Sequence, residues 1–344
     1  MPSRFRALLG LSLVLVLATS GCGRLADWMI GRSLRRVDRS VLESPDLTIV
    51  LCGTGSPIAD RSRAGACTAV IAGGEMFLVD VGPGSWKTVD LANLPTEALS
   101  GILLTHFHSD HIGDLGEAVT QSWIAGRSHP LDVYGPTGVG LVVTGFRFAY
   151  SADVRYRVTH HGEQYMPHIA GIPVPHEVTL GDDPAASAVV LQRNGLTITM
   201  FRVDHRPVEP AVGYRFDYHG RSVVVSGDTK RSDSLVQHAK GADVLIHEAL
   251  QPAMMTRVAS VARTLGRDRL AKMALDTIGY HTSPADAAAV ARDAGVHRLV
   301  LTHMVPPPNS FLARRLFTQG MGGIFSGEIT LGEDGMRIAL PPRS

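Results

Sequence analysis

One stretch constrains this chain more than any other: Leu103-Leu104-Thr105-His106-Phe107-His108-Ser109-Asp110-His111. The apolar run from Ile102 to Leu104 reads as a buried strand. Three imidazoles and a carboxylate follow within six residues, spaced His-x-His-x-Asp-His. A strand end aims its side chains rigidly, and the loop beyond it leaves room for a substrate. Such a donor set suits Zn²⁺, which takes nitrogen and oxygen ligands. Desolvating these groups with nothing to bind them would be costly. A lone histidine reads as surface or as a satisfied core residue, whereas four donors together read as a metal site. A helical pattern then runs from Asp114 to Ala125.

His106, His108, Asp110 and His111 resemble the signature of the metallo-β-lactamase superfamily. The resemblance implies an α/β fold, a four-layer αβ/βα sandwich with a dinuclear metal site on one edge. Later motifs are similar to those of the tRNase Z (ribonuclease Z) branch and appear in family order over residues 47–304. The expected strand Leu47–Cys52 leads into Gly53-Thr54-Gly55-Ser56, and the strand Met76–Val81 carries Asp80 into an Asp-x-Gly turn. Leu131–Tyr134 leads into Gly135-Pro136-Thr137-Gly138. Arg193-Asn194-Gly195 marks a hairpin whose second strand, Leu196–Val203, ends near His205, with Gly213-Tyr214-Arg215 beyond. A second hairpin across Tyr218-His219-Gly220 runs into Ser226-Gly227-Asp228-Thr229. Strand Asp243–Ile246 precedes a loop His247-Glu248-Ala249-Leu250, with leucine where the branch has threonine. His281-Thr282-Ser283 resembles its His-Ser-Thr loop, and His303 ends a strand Leu299–Thr302. Ser283-Pro284 fits a helix N-cap and first turn.

The resemblance implies a site with two Zn²⁺ per chain, with Mn²⁺ or Fe as alternative metals. His106, His108 and His205 would hold the first metal, and Asp110, His111 and His303 the second, with Asp228 bridging. A water shared by two such metals is the implied nucleophile. Asp110 and His247 are the expected catalytic residues, the first orienting the water and the second protonating the leaving oxygen. Asp80 is expected to support a ligand histidine, Glu248 to orient His247, and His281 to contact substrate or support the site. The reaction expected is phosphodiester hydrolysis of a small-molecule or oligonucleotide substrate. A sulfatase, a carboxylic-ester or lactone hydrolase, and a non-enzymatic, exported metal-binding accessory protein are the alternatives; a β-lactamase fits the motifs less well.

Lys+Arg of 33 against Asp+Glu of 32 gives no overall electrostatic case for nucleic acid, although local basic clusters stay open. Only 22 residues separate His205 from Asp228, too few for the tRNA-gripping arm of tRNase Z. At the amino terminus Arg4 and Arg6 precede an apolar run from Ala7 to Ala18 and then Thr19-Ser20-Gly21-Cys22. This reads as a signal peptide over residues 1–22 with a lipobox, lipidation at Cys22, and a periplasmic or cell-envelope location with a membrane anchor. Export and the missing arm together argue against tRNA as substrate. Residues 23–45 read as a linker or basic amphipathic helix, and residues 46–344 as the hydrolase domain, expected as a homodimer. Residues 150–187 lose periodicity and read as a substrate loop or lid carrying His160, His161, His168 and His176. Cys52 and Cys67 fit either a disulfide or buried thiols.

Overall fold

The computed structural model describes residues 23–31 and 37–343. The chain divides into two units, Met1–Arg39 and Ser40–Ser344. In the first, residues 23–31 are helical; Cys22 and the apolar run before it lie outside the described residues. Residues 37–39 are not helical and a short helix occupies Ser40–Glu43, so residues 23–45 do not form one continuous helix. No helix among the described residues is long and apolar enough to cross a membrane.

Among the described residues of the second unit, alternating and continuous apolar runs build fourteen strands in two seven-stranded sheets. The first holds β1 (Leu47–Gly53), β2 (Cys67–Ala72), β3 (Glu75–Val79), β4 (Leu99–Leu103), β5 (Leu131–Pro136) and β6 (Pro173–Val178). The second holds β7 (Ser187–Arg193), β8 (Leu196–Arg202), β9 (Val212–Tyr218), β10 (Arg221–Val225), β11 (Val244–Leu250), β12 (Arg298–Val305) and β13 (Glu328–Leu331). The last strand, β14 (Arg337–Leu340), returns to the first sheet beside β1. Each sheet is antiparallel on one side and parallel on the other: β3 to β6 run parallel, as do β10 to β13.

Strand alternation separates three cores. Leu47, Ile49 and Leu51 of β1 meet Ile198, Phe216 and Val244 between the sheets. Val50 and Cys52, on the opposite face of β1, pack with Leu115, Val119 and Val143 beneath the helices Leu115–Ala125 and Val139–His161. Leu245 and Leu299 pack with Ala287 and Val290 beneath the helix Pro284–Ala294. The result is the expected four-layer αβ/βα sandwich. Cys52 and Cys67 are both buried and free.

Residues 150–187 are not a loop. Their first part is the second half of a 23-residue helix, Val139–His161, and Pro173–Val178 is an edge strand. Val139, Val143 and Val154 of that helix are buried and Val142, Phe146 and Val158 pack partly buried beside them, an apolar stripe at helical spacing that the exposed Leu141, Phe148 and Tyr156 between them mask in the sequence.

Candidate metal centre

Parallel strands end on one edge of the sandwich, and the nominated donors are gathered there. Beyond β4, His106 is fully buried, His108 is more exposed, and Asp110 and His111 lie in the short helix Ser109–Ile112. His205 follows β8 and Asp228 follows β10. The donors fall into groups: His106, His108, His205 and Asp228, then Asp110, His111 and His303, with Asp228 also close to His281 and His303. Asp228 Oδ2 is the common centre, 3.9 Å from His106 Nε2, 3.9 Å from His205 Nε2, 3.4 Å from His111 Nε2 and 3.4 Å from His303 Nε2. Asp110 Oδ2 lies 3.0 Å from His303 Nε2 and 3.6 Å from His111 Nε2.

His303 is not at a strand end. It is an extra residue inside β12, where Glu248 pairs with Thr302 and Ala249 with Met304. Its φ of 44° is left-handed. A bulge of this kind re-aims one side chain without breaking the strand, and here it turns His303 toward Asp110.

Hydrogen bonds on the far side of the rings fix which nitrogen faces the centre. His111 Nδ1 donates to Asp80 Oδ2 at 2.8 Å, and His205 Nδ1 donates to the carbonyl of Tyr280 at 2.9 Å. Thr105 Oγ1 donates to Asp80 Oδ2 at 2.8 Å, leaving its lone pairs for His106 Nδ1 at 3.1 Å. Thr105 N donates to Asp80 Oδ1 at 2.8 Å. Each of the three rings therefore turns Nε2 inward. Asp80 lies beneath His111 and Thr105; Thr105 and Tyr280 do not stand out in the sequence. Thr105 directly precedes His106, but a backbone carbonyl such as that of Tyr280 leaves no mark in a side-chain pattern.

The donor set fits bound cations. Asp228 Oδ1, His111 Nε2 and His205 Nε2 are buried without a hydrogen-bond partner. His106 Nε2 and His108 Nδ1 face each other at 3.0 Å, a pairing a cation would relieve. Burial opposes charge on Asp228, yet the neighbouring His303 and His111 hold its carboxyl well below the ordinary range. Burial and the nearby His111 push His106 well below the usual imidazole value, toward the neutral, metal-binding form.

His247 and Glu248 exchange their expected places because β11 continues through them. Val244 and Ile246 face the core between the sheets, whereas Leu245 and Ala249 face the helix layer. Alternation therefore sends His247 outward and Glu248 inward. His247 is fully buried, with Nδ1 against the Glu248 carbonyl at 2.7 Å, and burial lowers its pKa. It belongs to none of the metal-donor groups, and unlike the placement expected for it, its ring lies on the face of β11 turned to the helix layer, opposite the face that carries Glu248. Glu248 instead reaches the site floor, where Oε1 accepts from Thr282 N at 2.9 Å and Thr229 N at 3.2 Å. Its partner is His281, at 3.2 Å from Nδ1 to Oε1. His281 Nδ1 also lies 4.0 Å from Asp228 Oδ2. Burial opposes protonation of His281, but Glu248 outweighs it and the pKa is pushed up to about 9.

A glycine-lined wall seats the Asp110 loop. A Cβ at Gly82 would lie 2.0 Å from the Asp110 carbonyl, and one at Gly65 2.8 Å from it. The loop from Thr54 to Ala64 is closed by Asp334, whose carboxylate accepts from Thr54 N at 2.9 Å, Thr54 Oγ1 at 2.7 Å and Ala64 N at 2.6 Å.

Residues 76–304 match the beta-lactamase superfamily domain. A ribonuclease Z of Mycobacterium bovis is 39% identical over 303 residues, covering 86% of this chain and 99% of its own length. The chain belongs to the beta-lactamase superfamily, in its ribonuclease Z-like branch. A second relative, the ribonuclease Z of Mycobacterium marinum, is 36% identical over 86% of the chain and 100% of its own length. The fold matches human tRNase Z, short form, with a TM-score of 0.58 at 23% identity, covering 86% of this chain and 100% of that one. It also matches the metallo-beta-lactamase fold protein YhfI from Bacillus subtilis, with a TM-score of 0.57 at 21% identity, covering 86% and 99%. The chain is a metal-dependent hydrolase of ester bonds.

These relatives correct two expectations. The alignment with the M. bovis ribonuclease Z spans nearly all of that protein in 303 residues, which leaves no room for a long arm in one chain and not the other. A short segment between His205 and Asp228 is therefore no argument against tRNA. The assignment to the periplasm or cell envelope is likewise overturned, because the relatives matching 86% of the chain are named for cleaving RNA, a substrate found inside the cell.

Proposed function

We propose that this chain is a dinuclear, zinc-dependent phosphodiesterase that cleaves RNA, with tRNA precursors as a candidate substrate. The observation that carries the reading is the buried Asp228 carboxylate set between two groups of imidazoles, 3.4–3.9 Å from four of them. His106, His108 and His205 would hold one metal, and Asp110, His111 and His303 the other, with Asp228 shared. When bound, the two cations supply Lewis-acid stabilisation of the phosphoryl oxygens and lower the pKa of water.

The chain's own groups do the rest. Asp80, Thr105 and the Tyr280 carbonyl hold the imidazoles in the tautomer that presents Nε2 inward. Asp110 fixes His303 and offers a carboxylate edge to orient water. His281, charged against Glu248 and 4.0 Å from Asp228, donates the proton that the leaving oxygen needs. The test is turnover by zinc-loaded protein of a structured RNA with a 3′ trailer, bis-p-nitrophenyl phosphate, p-nitrophenyl sulfate and a lactone. Cleavage of the two phosphodiesters alone supports the reading; turnover of only the sulfate or the lactone would replace it.

A further inference from the structure

We propose that the exposed face of the helix Val139–His161 binds the RNA flanking the scissile bond, a grip built into this chain in place of an inserted arm. The proposal rests on the phosphodiesterase reading above. The helix starts at the site. A Cβ at its N-cap Gly138 would lie 3.1 Å from the ring of Phe107, the residue between His106 and His108. From there 23 residues run on for about 34 Å.

Although the whole chain is nearly neutral, this helix is not. It carries Arg147, Arg155 and Arg157, and at its far end His160 and His161, against a single acid, Asp153. Asp153 is engaged by Arg157 at 2.7 Å. Arg147 and Arg155 form no ion pair among the described residues and are exposed. Beside them stand two exposed aromatic rings, Phe148 at 83% and Tyr156 at 56%. The Arg155 guanidinium lies 5.5 Å from the Tyr156 ring centroid.

Arginine next to an aromatic ring, repeated eight residues later, gives two like stations about 12 Å apart along the helix. That distance spans three to four nucleotides at about 3.4 Å each. Cationic groups that track phosphates, interleaved with rings on which bases stack, are the features of single-strand binding surfaces. An apolar protein partner would have no use for the unpaired arginines.

The test compares wild type with Arg147→Glu/Arg155→Glu and with Phe148→Ala/Tyr156→Ala. All four positions are exposed, so melting temperature should stay at the wild-type value. Binding of a labelled RNA hairpin with a 3′ trailer is followed by fluorescence anisotropy across a salt series, and turnover of that RNA and of bis-p-nitrophenyl phosphate is measured in parallel. Each double variant should weaken RNA binding about tenfold or more and raise KM for RNA alike. The charge reversal should also flatten the slope of log K against log salt by about 1.4, for two phosphates on a single strand. Turnover of bis-p-nitrophenyl phosphate should be unchanged. RNA binding and salt slope equal to wild type in both variants would overturn the proposal. If the variants lose RNA binding while wild type hydrolyses neither phosphodiester, the grip stands and the hydrolase reading falls.

Discussion

Replacing Asp80 with asparagine changes one atom and should disable one metal position. The carboxylate accepts three hydrogen bonds: Thr105 N on Oδ1, and Thr105 Oγ1 and His111 Nδ1 on Oδ2. The backbone N–H of Thr105 must keep an oxygen acceptor, so the amide oxygen of the substituted side chain stays there. The NH₂ group then faces His111, and Nδ1 has to become an acceptor. The proton moves to Nε2, the atom 3.4 Å from Asp228 Oδ2, and its lone pair for a metal is lost. Loss of such a supporting partner weakens metal binding about 10–100-fold, or about 1.4–2.8 kcal/mol. Competition titration with a chromophoric zinc chelator measures this directly. One tight site should be retained and one weakened, with hydrolysis falling in step and far-UV circular dichroism unchanged. Two sites of wild-type affinity in Asp80→Asn would refute the tautomer argument.

Four further outcomes follow from the geometry. His281→Ala and Glu248→Gln should lower kcat about 10²–10⁴-fold on a poor leaving group but much less on bis-p-nitrophenyl phosphate, whereas His247→Phe should keep the leaving-group dependence of wild type; steady-state kinetics on both substrates decides. Gly82→Ala should abolish activity, since its Cβ would lie 2.0 Å from the Asp110 carbonyl; metal analysis should show loss from the position served by Asp110. Asp334→Ala frees two backbone N–H groups of the Thr54–Ala64 loop and should destabilise the protein by about 2–3 kcal/mol, read by urea denaturation. In metal-free protein the depressed Asp228 carboxyl contributes stability that is full above about pH 4 and is lost as pH falls through its lower folded value. Asp228→Asn should remove that acid dependence from thermal melts.

The edge of the sandwich is legible in the sequence because its residues announce themselves in two ways at once. Strands such as β4 and β10 are short apolar runs, and His106 and Asp228 stand shortly after them. Asp80 stands out because it closes a strand beside a tight turn. What stays hidden depends on which way a residue points. His247 and Glu248 are adjacent, and only the continuation of β11 through both decides which one faces the centre. A one-residue difference in where a strand ends reverses that choice. The bulge at His303 is set by pairing with β11, a partner distant in sequence, and no local pattern encodes it. Val139–His161 escapes a sequence reading for another reason: its packed residues Val139, Val143, Phe146, Val154 and Val158 recur at helical spacing, but the exposed Leu141, Phe148 and Tyr156 among them hide that period.

The proposed function depends on two metals sharing Asp228. Anomalous diffraction at the zinc edge, on crystals of protein purified without chelator and supplemented with zinc, tests it most directly. Two peaks per chain are expected on either side of the Asp228 carboxylate, one beside His106, His108 and His205 and the other beside Asp110, His111 and His303. A single peak under saturating zinc, or a peak coordinated by His247, would contradict it.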